Sequence, residues 1–84
     1  MITKKHVEIY KKYGNTGEGF ALLATPEEKA SIDARHWKLI NNLREDWTLV
    51  KNGLAADSYA KSIEERFKES CDSEETIRAI KDIA

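Results

Sequence analysis

Between Thr25 and Gly53 the chain has a helix start, a helix stop and nothing between them that must break a helix. Thr25 can cap a helix, Pro26 suits its first position, and Glu28 stands where a capping box needs a carboxylate. Gly53 is the residue type that ends a helix in the left-handed conformation. The sequence therefore predicts one long helix over about Pro26–Asn52. Such a helix would be about 40 Å long at 1.5 Å per residue. A compact chain of this length has a radius of gyration of about 12 Å. Either the helix bends, with Asn41-Asn42 as the expected place because Asn competes for backbone hydrogen bonds, or one end projects and meets a partner. The expectation adopted is a continuous helix with part of its surface used for contact.

The remaining segments share the helical period. Thr3 to Tyr13 reads as a first helix with Gly14 as its stop, carrying Ile2, Val7, Ile9, Tyr10, Tyr13 and His6 toward one side. Gly14 to Gly19 is a connector, and Phe20–Ala24 reads as one or two helical turns. Along the long helix, Ile32, His36, Leu39, Ile40, Leu43, Trp47 and Val50 fall within an arc of about 100°. A further helix covers about Asp57–Ser70, with Tyr59, Ala60, Ile63 and Phe67 on one face and Glu64–Lys68 as an outer ion pair. Asp72-Ser73-Glu74-Glu75 reads as a second capping box, starting a terminal helix with Ile77, Ile80 and Ile83 inward. Convincing two-residue alternation is absent. The fold class is all-α: one domain over residues 1–84, a small bundle of four to five helices built around one long central helix.

Charge narrows the function. The chain has 14 basic and 15 acidic residues, a formal net charge of −1. Neither half is a polyelectrolyte, and this argues against a role dominated by phosphate neutralisation. Phe20–Leu39 could be read as helix, turn and recognition helix, but its first turn, Pro26-Glu27-Glu28, would repel DNA phosphates. No stretch approaches the roughly 20 apolar residues of a membrane span. The single cysteine, Cys71, excludes an intrachain disulfide, and the first residues lack an apolar segment after their charges. A reducing, cytoplasmic setting is the expectation.

Catalytic patterns are weak. The glycines at 14, 17 and 19 lack the preceding strand and the following Gly-Lys-Ser/Thr of a phosphate loop, and helix stops and turns explain them. Cys71 precedes Asp72, Glu74 and Glu75, whose charges disfavour a thiolate. No serine sits on a strand-to-helix elbow. His6 and His36 each lie on an apolar helical face, and Asp33 precedes His36 by three residues. A stable metal site needs three or four ligands, so the preferred reading is a pair of half-buried histidines, each with a hydrogen-bond partner. A buried neutral His36 would make acid destabilising. No cofactor, no metal and no enzymatic activity is expected.

Trp37 and Leu49 depart from the core stripe, about 60° and 180° from Ile40 respectively. Trp with Arg44 nearby is the surface type enriched at protein interfaces. Coverage of Trp37 by the N-terminal helix or by Phe20–Leu23 is the structural alternative, and a lone exposed leucine is the alternative for Leu49. The functional expectation is a helical protein–protein interaction module, with self-association as one form. Its partner-contact residues would be Trp37, Arg44 and Leu49. The competing expectations are a nucleic-acid-associated regulator and a metal-binding protein using His6 and His36.

Overall fold

The computed structural model describes residues 1–14 and 17–84. Asn15 and Thr16, part of the expected connector, lie outside the described residues. Among these residues the chain forms α1 (Lys4–Tyr13), α2 (Glu18–Leu23), α3 (Pro26–Ser31), α4 (Ala34–Lys51), α5 (Asp57–Ser70) and α6 (Glu74–Ile83). The architecture is an all-α bundle around the long helix α4. Helix α1 packs on α4 and α6, α4 on α5 and α6, and α2 on α1. Ile2 adds a parallel bridge: its N–H donates to the Ser70 carbonyl at 2.7 Å, and its carbonyl accepts from Asp72 N–H at 2.9 Å.

The long helix is shorter than the sequence predicts. It breaks at Ile32 and Asp33, both in extended conformation, and runs unbroken through Asn41-Asn42. Two features account for the break. The Asp33 carboxylate accepts from Arg35 N–H at 2.9 Å and His36 N–H at 3.1 Å, a second helix start inside the run. Its own N–H donates to His36 Nδ1 at 3.2 Å, so histidine fills the capping-box place usually held by Glu or Gln. Meanwhile the extended Ile32 lets its side chain enter the core, where it is buried. The Asn expected to bend α4 has a tertiary task instead: Asn41 Oδ1 accepts the Tyr10 hydroxyl, tying α4 to α1.

Before the break, α3 reaches back to α1. Glu28 Oε1 accepts from Thr25 N–H at 3.0 Å, the predicted capping box, and from the Tyr13 hydroxyl at 2.5 Å. Lys12 Nζ lies 3.1 Å from Glu28 Oε2. An 18-residue α4 is about 27 Å long, which a bundle of radius of gyration 13.0 Å accommodates. The length problem is therefore solved by a second cap rather than by a bend or a free end.

The core consists of Ile2, Val7, Ile9, Tyr10, Ile32, Ile40, Leu43, Ile63, Phe67, Cys71, Ile77 and Ile80. Most of the predicted inward faces are present, with two corrections. Tyr59 is 43% exposed, because α5 buries only its later positions Ile63 and Phe67. Glu64 meets Lys81 of α6, at 2.9 and 3.1 Å, instead of Lys68. The Lys81 ammonium also sits 4.1 Å from the Trp47 ring centroid, and Trp47 meets Phe67 edge-on. Helix α6 is capped by Ser73, which accepts from Thr76 N–H, while the Thr76 hydroxyl donates to Asp72 Oδ1 at 2.6 Å. The N-cap is thus Ser73 rather than Asp72, and Thr76, not Glu75, bonds back to the Asp72 side chain.

Candidate interaction surface

Trp37 stands at the centre of an aromatic group. Its ring lies 5.0 Å from Tyr10 of α1 and 5.0 Å from Phe20 of α2, and Phe20 meets Tyr13 edge-on at 5.7 Å. The N-terminal helix and the Phe20 segment therefore both cover Trp37, which is half-buried. Coverage is incomplete. A groove of about 370 Å³ remains, lined chiefly by Phe20, Ile32, Ala34 and Trp37, with Asp33, Lys38 and Asn41 at its polar edge. The Trp37 indole nitrogen is buried there without a hydrogen-bond partner among the described residues. An unpaired buried donor costs roughly 1–3 kcal/mol.

The three residues singled out for contact do not share one surface. Arg44 is half-buried and lines a separate groove with Tyr10, Lys11, Gly14 and Ile83. Burial pushes the Tyr10 phenol above its ordinary value, and the neighbouring Arg44 guanidinium partly offsets this. Leu49 is 38% exposed and has a local task. At the end of α4, Leu54 N–H donates to the Leu49 carbonyl at 2.9 Å and Gly53 N–H to the Val50 carbonyl at 3.0 Å, with Gly53 at φ 71°. This is a Schellman motif, and Leu49 and Leu54 occupy the two positions where that motif places an apolar contact.

The surface that sequence reasoning missed is on α2. This helix, Glu-Gly-Phe-Ala-Leu-Leu, buries no residue fully. Leu22 is 83% exposed and Leu23 74% exposed. Two adjacent leucines in water, on a helix whose Phe20 walls an apolar groove, form the most exposed large apolar pair among the described residues. A signal was available. On a helix Phe20 and Leu22, two residues apart, point about 160° from each other and cannot both face inward, whereas Leu23, three residues from Phe20, carries no such signal.

The histidines meet, with consequences for metal binding. The His6 and His36 rings stack with centroids 4.1 Å apart and planes 22° apart. Their Nδ1 atoms accept the N–H groups of Thr3 and Asp33. Asp33, expected to share a ligand with His36, is its capping partner instead. Among the described residues no group of three or more His, Cys, Asp or Glu is placed to hold a metal ion. Cys71 is buried, and burial together with Asp72 pushes its thiol up to about 11. No helix among the described residues is long and apolar enough to cross a membrane. No protein-family model, curated protein or solved structure matches the chain.

Proposed function

We propose that this chain is a protein–protein interaction module that associates with a second copy of itself through α2 and the neighbouring Trp37 groove. The observation that carries the reading is the exposure of Leu22 and Leu23 beside that groove. Burying a leucine fully is worth about 1.5–3 kcal/mol, so leaving two in water forgoes a substantial part of the apolar stabilisation open to a chain this small. The chain presents both halves of a contact, protruding leucines and an apolar recess lined by Phe20, Ile32 and Trp37. A two-fold arrangement lets each copy's leucines reach the other's recess without leaving an open edge.

Near-zero net charge is compatible with association of like chains, which suffer little mutual repulsion. It also disfavours the nucleic-acid reading, which calls for an excess of basic charge to neutralise phosphates. In this reading Trp37 contributes the groove floor, while Arg44 and Leu49 lie outside the contact. The test compares wild type with Leu22→Ser/Leu23→Ser by analytical ultracentrifugation. Association in wild type and its loss in a folded variant support the reading; equal association of the two proteins refutes the assigned surface.

A further inference from the structure

Of the chain's 14 lysines and arginines, only Arg44 and Lys81 are half-buried; the others are exposed. A cation partly withdrawn from water needs an opposite charge or a set of acceptors in exchange. Lys81 has them: the Glu64 carboxylate at 2.9 Å and the face of the Trp47 ring. Arg44 forms no ion pair among the described residues. Its Nε is buried without a hydrogen-bond partner among them.

The missing counter-charge coincides with a groove. Arg44 of α4 and Lys11 of α1 line one recess of about 330 Å³, whose other walls are Tyr10, Gly14 and Ile83. No carboxylate lines it among the described residues. The Tyr10 hydroxyl donates to Asn41 Oδ1, so toward the neighbouring Arg44 its oxygen can only accept. That phenol is a neutral neighbour, and the guanidinium keeps donors with no anion to receive them.

Acidic groups flank the recess without lining it. Glu45 follows Arg44 in α4 and acts on the Tyr10 phenol at a distance. Glu8 and Asp82 line an adjoining groove, which shares Lys11 and Ile83 with this one. Neither is ion-paired with Lys11. These charges moderate the local potential and limit the affinity for an anion, while the two cations remain the groups at hand inside the recess.

We propose that the recess between α1, α4 and the end of α6 binds a small organic monoanion, a carboxylate on a compact apolar body. Arg44 and Lys11 take the carboxylate, and Ile83 and the Tyr10 ring take the body. The planar guanidinium fork matches a carboxylate in geometry as well as charge. The recess is at the lower end of the roughly 300–1,000 Å³ of small-molecule sites. A bare oxyanion would leave most of it empty and Ile83 without a contact. The proposal uses neither α2 nor the Trp37 groove and does not depend on self-association.

The test titrates the protein with benzoate, its neutral analogue benzamide, and inorganic phosphate, at constant ionic strength. Binding is read from the nitrogen–proton NMR signals of the backbone and of Arg44 Nε. Benzoate should shift Arg44 Nε–H and the amides of Lys11, Gly14 and Ile83 saturably, with a Kd on the order of 1 mM, and leave Trp37 unmoved. Benzamide and phosphate should each bind at least about tenfold more weakly. Lys11→Gln, an exposed position, should weaken benzoate roughly threefold to tenfold, and Arg44→Gln by more than about tenfold. Equal binding of benzamide would overturn anion recognition, and equal binding of phosphate would overturn the organic class. Unchanged benzoate binding in folded Arg44→Gln, or no saturable shift at these residues up to about 20 mM, would overturn the site. Should Arg44→Gln fail to fold, Lys11→Gln decides: unchanged benzoate affinity there overturns the paired-cation site.

Discussion

Asp33→Ala separates a capped break from a continuous helix by the sign of its effect. In the structure the Asp33 carboxylate receives two backbone donors at 2.9 and 3.1 Å, which have no intrahelical partner of their own. Alanine removes that acceptor and leaves the His36 ring with half of a capping box. For a domain of this size, loss of such a cap lowers the melting temperature by about 4–8 °C. The nearby Arg35 is strongly exposed, so its pairing with Asp33 adds little. Were residues 26–52 one helix, position 33 would be interior, and alanine, the better helix former, would raise the melting temperature by roughly 2–5 °C. Asn, which caps as well as Asp, should restore most of the loss. The assay is thermal unfolding followed by far-ultraviolet circular dichroism. An Asp33→Ala protein as stable as wild type, or more stable, would refute the account of the break.

Two further substitutions examine the packing on either side of α4. Phe67 is 0% exposed, and Phe67→Ala should cost about 3–5 kcal/mol in denaturant unfolding, enough to leave a chain this small partly unfolded. Glu28 is held down to about 2, chiefly by the Tyr13 hydroxyl and then by Thr25 N–H. Its contribution is therefore complete above its ordinary value near 4.5 and is lost as pH falls toward 2. Tyr13→Phe should raise the Glu28 titration midpoint measured by carboxyl NMR; an unmoved midpoint would show that the α1–α3 contact is not formed.

Helical periodicity located the interior because it depends on spacing alone. Ile40 and Leu43, Ile63 and Phe67, and Ile77 and Ile80 are each three or four residues apart and all are buried. The Thr25-Pro26-x-Glu28 start was equally visible and forms as read. What periodicity hid was the second start. Ile32 falls on the core stripe whether the helix is continuous or broken, so its burial gives no warning. Asp33-x-x-His36 lacks the Glu or Gln that marks an ordinary capping box, and its meaning emerges only when the His36 ring turns back to Asp33 N–H. Thr3-x-x-His6 repeats the device at the start of α1 and was equally hidden.

The contact surface was less legible than the core. Angular position on α4 singled out Trp37 and Leu49, but angle alone does not say what covers a side chain. Tyr10 and Phe20 come from other helices to cover Trp37, and the Gly53 turn gives Leu49 a neighbour in Leu54. Leu22 and Leu23 looked like the covering segment. Phe20 of that segment meets the Trp37 ring, while the two leucines are left exposed.

The most direct test of the proposed function is the mass of the wild-type chain in solution, by light scattering behind a sizing column over a wide concentration range. Self-association through α2 predicts a mass that climbs from 9.6 kDa toward twice that value as concentration rises. A mass fixed at 9.6 kDa throughout would contradict it.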